Sequence, residues 1–202
     1  MLTTPPTLGP LIIISGPSGV GKDTLITAAL PHLTNTTFIP TATTRPPRPG
    51  EHHGIDYHFL THDHLTDLIA SGDTLEHMHL NGHTYATLAQ PITERRNAHL
   101  TTILRVTPPG MHAIRAHHPD AHTIFIAPPT LTDLHTRLTH RNTDTPDTIT
   151  TRLAHATTEL AAAADYDTII INNDLTTATT TLITTITTHQ HHRPTPVKNT
   201  TR

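Results

Sequence analysis

The sequence predicts an α/β layered fold with a mostly parallel central sheet, and three observations carry that prediction. Short apolar runs recur without polar alternation, as in strands buried on both faces. Segments of helical spacing lie between them. A glycine-rich loop directly follows the first run, where such folds turn from strand into helix.

Residues 1–10 (MLTTPPTLGP) hold three prolines and predict an irregular leader. Leu11 to Ile14 is the first buried strand. Leu25 to Leu33 is spaced as a helix that ends near Pro31. Residues 36–57 are rich in Thr, Pro and Gly and predict loop and short strand. Asp63 to Ser71 is helical through Leu65, Leu68 and Ile69. Ile103, Leu104 and Val106 make a second buried strand, and Thr123 to Ala127 a third, ended by Pro128-Pro129. Leu131, Leu134 and Leu138 mark a helix, residues 142–148 a polar loop, and Ile149 to Ala164 a further helix. Thr168 to Ile171 is the fourth strand. Thr176 to Thr188 predicts a last helix, although threonine is a poor helix former. The tail 189–202 has almost no apolar content and predicts disorder.

Composition excludes several classes of function. The 202 residues suffice for one domain of ordinary size with a mobile insert. Aromatic residues are 3%, too few for base-stacking platforms. The net charge is -3, so no basic field holds a nucleic acid polymer or an acidic membrane. The chain has no cysteine, which excludes disulfides, zinc–thiolate sites and thiol nucleophiles. No apolar run approaches the roughly 20 residues that span a bilayer. The first residues lack the pattern of a secretory signal, so the expectation is a cytoplasmic protein. Among 20 histidines, pairs such as His62/His64 and His77/His79 are expected by chance, and none has the spacing of a zinc site. Those histidines predict a sharp change of surface charge below about pH 6.5.

The most specific motif is Gly16-Pro17-Ser18-Gly19-Val20-Gly21-Lys22-Asp23-Thr24. Glycines let successive backbone N–H groups face one phosphate, and the helix N-terminus adds partial positive charge. Lys22 supplies a full charge to the β- and γ-phosphates of a bound nucleotide. The residue after the lysine is usually Ser or Thr, whose hydroxyl binds Mg²⁺; here it is Asp23. Either Thr24 takes that role or Asp23 holds the metal through water.

A second motif, residues 41–51 (TATTRPPRPGE), places Arg45 and Arg48 on a proline-stiffened loop, and two guanidinium forks there suit a phosphate. It is followed by GIDYHF, by Glu76, and by Tyr85 and Thr87. Glu76 can accept from the N1–H and N2–H₂ of guanine, which adenine cannot offer. With GPSGVGK, TTRPPRPGE, GIDYHF, IAPPTLTDLHTRL and RNTDTPDTITTRL in order, residues 11–175 resemble the guanylate kinase family of nucleoside monophosphate kinases.

The resemblance implies a P-loop three-layer fold over residues 11–188, with an inserted monophosphate-binding domain at 41–90 and a lid at 138–152. It implies ATP binding by the 16–24 loop and by Asn172. It implies acceptor phosphate binding by Arg45, Arg48, Tyr57 and Tyr85, and guanine reading by Thr41, Glu76 and Thr87. The lid arginines of the family match Arg137, Arg141 and Arg152, which together with Lys22 and Arg45 are the expected catalytic charges. The implied reaction transfers the γ-phosphoryl group of ATP to a nucleoside monophosphate, GMP above all, with Mg²⁺ as cofactor and no membrane or polymer partner.

One segment departs from the pattern. The family carries two acidic residues on the strand after the insert; here they are Arg105 and Thr107, followed by Pro108-Pro109-Gly110. This predicts either a drifted segment compensated elsewhere, or a paralogue with a changed acceptor or weakened activity. GKDT also resembles ribose 1,5-bisphosphate kinases, which lack the RPGE and DYHF signatures. A non-enzymatic binding domain is a third reading, against which the intact phosphate loop argues.

Overall fold

The computed structural model describes residues 8–80, 82–140 and 146–191. In chain order its strands are β1 (Leu11–Ser15), β2 (Thr36–Ile39), β3 (Ala42–Thr43), β4 (His58–Phe59), β5 (Thr74–Leu80), β6 (His83–Leu88), β7 (Thr101–Arg105), β8 (His122–Ala127) and β9 (Thr168–Ile171). Its helices are α1 (Lys22–Ala29), α2 (His62–Ala70), α3 (Ala89–Asn97), α4 (Pro108–His117), α5 (Leu131–His140), α6 (Pro146–Ala161) and α7 (Leu175–His191). No described helix is long and apolar enough to cross a membrane.

Five parallel strands form the central sheet in the order β2-β7-β1-β8-β9. Its strands are apolar on both faces because both faces are covered. Ile12 and Ile14 of β1 join residues of α1, α5, α6 and α7 in one core. Leu11 and Ile13 join Ile92 of α3 and Met111 and Ile114 of α4 in the other. The result is three layers, as the unalternated runs predict. Full burial of one such isoleucine contributes about 1.5–3 kcal/mol.

Residues 42–88 build a second sheet, ordered β4-β3-β6-β5, in which β5 and β6 are antiparallel. Helix α2 lays Leu65, Leu68 and Ile69 against Ala42 and Ala86 of this sheet. Thr61 caps α2 by accepting from the His64 N–H.

Three helices differ from expectation in their bounds. Helix α6 opens at Pro146, inside the polar loop expected over 142–148, and gives way to a 3-10 turn after Ala161. The first helix opens at Lys22, and a 3-10 turn at Leu30–His32 takes up Pro31. Helix α7 runs to His191, into the tail expected to be disordered. It has anchors there. Gln190 donates to the Thr34 carbonyl and the Thr36 hydroxyl at 2.9 and 2.8 Å, and the His189 ring stacks on His122 at 3.5 Å. Residues 1–7 of the expected leader, Asn81, residues 141–145 of the expected lid and the tail from 192 lie outside the described residues.

Candidate active site

The phosphate loop leaves the C-terminal end of β1, the central strand, between its neighbours β7 and β8. This is the edge where open parallel sheets bind ligands. Gly16 sits at φ 139°, and a Cβ there would stand 2.2 Å from the Ile126 carbonyl oxygen, so only glycine fits. Gly21, at φ 97°, precedes the first turn of α1. Lys22 Nζ donates to the carbonyls of Gly16 and Pro17 at 2.5 and 2.8 Å. A carboxylate oxygen of Glu159, on α6, accepts from the Ser18 N–H at 3.3 Å. The loop thus meets negative charge even without nucleotide.

The loop is also held from its other side. Val20 O accepts from Asn172 Nδ2 at 2.8 Å and from Arg137 Nη1 at 3.3 Å. Arg137 Nη2 donates to the Asn172 carbonyl at 2.7 Å. Arg137 and Asn172 therefore touch the loop backbone, and among the described residues they do not line the cavity it faces.

That cavity has a volume of about 300 Å³. One wall is Gly16, Ser18, Gly19, Gly21, Lys22, Asp23 and Thr24; facing it are Thr41, Arg45, Arg48, Tyr57, Glu76 and Tyr85. The structure therefore gathers thirteen sequence-predicted residues at one site. Pro17, Val20 and Thr87 are not among its lining residues. The side chains of Arg141 and Arg152 lie outside the described residues.

Glu51 organises the arginine loop. Arg45 donates to both Glu51 carboxylate oxygens at 2.9 Å, and the Arg48 N–H donates to the same group at 2.7 Å. The hydrogen bond to Glu51 raises the Arg45 pKa against the cost of its burial. Burial would raise Glu51, but Arg45 and the Arg48 N–H outweigh it and lower its pKa. The Arg45 guanidinium lies 5.3 Å from the Tyr57 ring centre, and Tyr85 meets Tyr57 edge-on at 6.1 Å.

Glu76 projects from β5. Burial raises its pKa, and the 2.6 Å hydrogen bond from Thr87 Oγ1 only partly opposes that. Gly110 makes room for it: a Cβ there would stand 3.2 Å from the Glu76 carboxyl group. Thr87 thus acts on the site through Glu76.

Three features escaped sequence reasoning. Glu159 lines the cavity. Arg105 donates to Asp23, an ion pair between residues 82 apart in sequence. Thr107 is the N-cap of α4, accepting from the Gly110 N–H at 3.4 Å, with its own hydroxyl 3.6 Å from Met78 Sδ. The Ser/Thr-x-x-Gly start with prolines at the first two helical positions was the available signal for that cap.

Comparison with known proteins gives a consistent result. A family model described as guanylate kinase matches residues 9–189. The guanylate kinase of Frankia casuarinae is 40% identical over 165 residues, covering 82% of this chain and 90% of that protein. The guanylate kinase of Thermosynechococcus vestitus is 41% identical over 175 residues, covering 87% and 92%. In fold, the chain is similar to the crystal structure of guanylate kinase from Anaplasma phagocytophilum, with a TM-score of 0.74, 23% identity, and 92% and 88% of the two chains covered.

Proposed function

The chain belongs to the guanylate kinase family, and from that premise we propose that it transfers the γ-phosphoryl group of ATP to GMP, releasing ADP and GDP. The observation that carries the reading is one cavity lined by both Lys22 with its loop and the Arg45–Arg48–Tyr57–Tyr85 set.

An oxygen of the GMP phosphate attacks the γ-phosphorus. A new P–O bond forms and the bond to the β–γ bridging oxygen breaks. The nucleophile is already an anion, so no protein base takes a proton. The protein's work is alignment and charge stabilisation. Loop N–H groups and Lys22 receive the donor phosphates, Lys22 exchanging the carbonyls of Gly16 and Pro17 for them. Arg45, fixed by Glu51, and Arg48 hold the acceptor phosphate, with the Tyr57 and Tyr85 hydroxyls donating to it. Ionised Glu76, with Thr87 and Thr41, reads the guanine edge. Arg137 and Asn172 keep the loop in shape from behind, and Arg141 and Arg152 supply charge from the lid.

The hydroxyl of Thr24 and the carboxylate of Asp23 are adjacent and line the cavity beside Lys22. Such oxygen donors suit a hard divalent cation, so the residues fit Mg²⁺. Bound there with ATP, the metal supplies charge neutralisation of the donor phosphates.

An ADP-release assay with GMP, dGMP, AMP, CMP, UMP and ribose 1,5-bisphosphate tests the reading. GMP should support turnover with the highest kcat/KM. A clear preference for ribose 1,5-bisphosphate or for a pyrimidine nucleotide would replace GMP as acceptor.

A further inference from the structure

Arg105 carries positive charge where the family pattern has an acid, and no step above uses it. It ends β7 beside Ile14 of β1, so parallel pairing delivers it next to the phosphate loop. Its side chain is only 14% exposed. The guanidinium carbon lies 5.0 Å from the Tyr57 ring centre and 5.7 Å from that of Phe38. Arg45 lies against the same Tyr57 ring at 5.3 Å. Arg105, Arg45, Arg48 and Tyr57 all line the one cavity.

The two cations are held differently. Both terminal nitrogens of Arg45 are bound to Glu51. Arg105 gives one terminal nitrogen to Asp23, and its other, Nη2, is buried without a hydrogen-bond partner. Asp23 is 64% exposed, so water competes for its carboxylate and it is a weak holder of a buried cation. A buried guanidinium with a spare donor and an exchangeable partner is built to receive a multivalent oxyanion, whose oxygens match its fork.

We propose that Arg105 is a further ligand of the acceptor phosphate, kept in the site by Asp23 and released from it when the monophosphate binds. The inference rests on the functional reading above. It turns the reversed charge of this chain into a third acceptor cation, and it frees the Asp23 carboxylate as the phosphate arrives.

Calorimetric titration of the full chain with GMP, without ATP or divalent metal and with guanosine as the phosphate-free control, tests it. Arg105→Met keeps an apolar stem against Tyr57 and Phe38; it should weaken GMP binding by about tenfold or more and leave guanosine unchanged. Asp23→Asn removes the competing carboxylate and should tighten GMP binding by about threefold. A merely structural pair predicts that both variants weaken GMP binding equally or that neither changes it, and either result overturns the proposal. If Arg105→Met does not fold, the sign of the Asp23→Asn effect decides. A wild type that binds no GMP overturns the functional reading and this inference with it. A wild type that binds GMP, with both variants unchanged, overturns the inference alone.

Discussion

Asp23 and Arg105 pair across the phosphate loop, and they stand at two of the positions where the chain departs from its family's pattern. An acid has replaced a hydroxyl on α1, and a base has replaced an acid at the end of β7. Each departure alone puts the wrong charge beside a phosphate. Together they neutralise one another, because the pairing of β1 with β7 sets Ile14 opposite Arg105 just before the loop begins. The pair adds little to stability, since Asp23 is 64% exposed. Its effect is on the local field.

Lys22→Ala should lower turnover by about a thousandfold while the protein stays folded. Lys22 is the only lysine before Lys198, so no neighbouring lysine can replace it. Its hydrogen bonds to the Gly16 and Pro17 carbonyls reach only six and five residues along the chain, so their loss loosens the loop and leaves the core intact. Steady-state ADP release and a thermal melt check both halves. Near-normal turnover would remove the loop from the mechanism.

Arg48→Ala should raise the GMP KM by about ten- to a hundredfold and the ATP KM far less. Arg45→Ala should do the same and also destabilise the protein, because it strands the half-buried carboxylate of Glu51. Glu51→Gln should reproduce part of the Arg45 defect by loosening its guanidinium. Equal changes in both KM values would end the division into donor and acceptor walls.

These residues also mark what the sequence could reveal. The four central runs, the phosphate loop and the arginine loop are local patterns, and each lies where its pattern puts it. The β5–β6 hairpin was missed because its seven-residue first strand is mostly half-buried and carries three polar or charged positions in HMH and Glu76. Helices α3 and α4 were missed because Pro91, Pro108 and Pro109 read as breakers, although a first helical turn tolerates proline. Helix α7 survives its threonines because Ala178, Leu182 and Ile186 are buried in the core, while exposed threonine hydroxyls find carbonyls four residues earlier, as Thr180 does at Thr176. The Asp23–Arg105 pair is visible only once the sheet brings its strands together.

Thr107→Asp should raise kcat/KM for GMP by about tenfold and change other acceptors little, because it restores the second carboxylate beside the guanine site. Aspartate is an equally good N-cap, so stability should hold, whereas Thr107→Ala should cost about 0.5–2 kcal/mol. Adding Arg105→Glu would set a second carboxylate against Asp23, so the single variant is the cleaner test. Unchanged or poorer GMP kinetics would place Thr107 outside guanine recognition.

GMP binding should weaken on acidification before an ordinary carboxylate would protonate, because burial raises Glu76 above its usual 4.5. The sign for folding is opposite. The folded state holds this proton more tightly than the unfolded chain, so Glu76 costs stability as pH rises through its raised pKa and relieves that cost as pH falls. Glu76→Gln should remove the pH dependence of the GMP KM in this window and lower GMP affinity at neutral pH. A KM that stays flat in the wild type would exclude an ionised Glu76 from reading the base.

The central claim is that donor and acceptor phosphates meet in one cavity and a phosphoryl group passes directly between them. Phosphorus NMR of the protein with ATP, Mg²⁺ and GMP tests it most directly. The account predicts that the GMP resonance disappears as ADP and GDP grow in equal amounts, with no orthophosphate. ADP appearing with orthophosphate while GMP stays intact would contradict it.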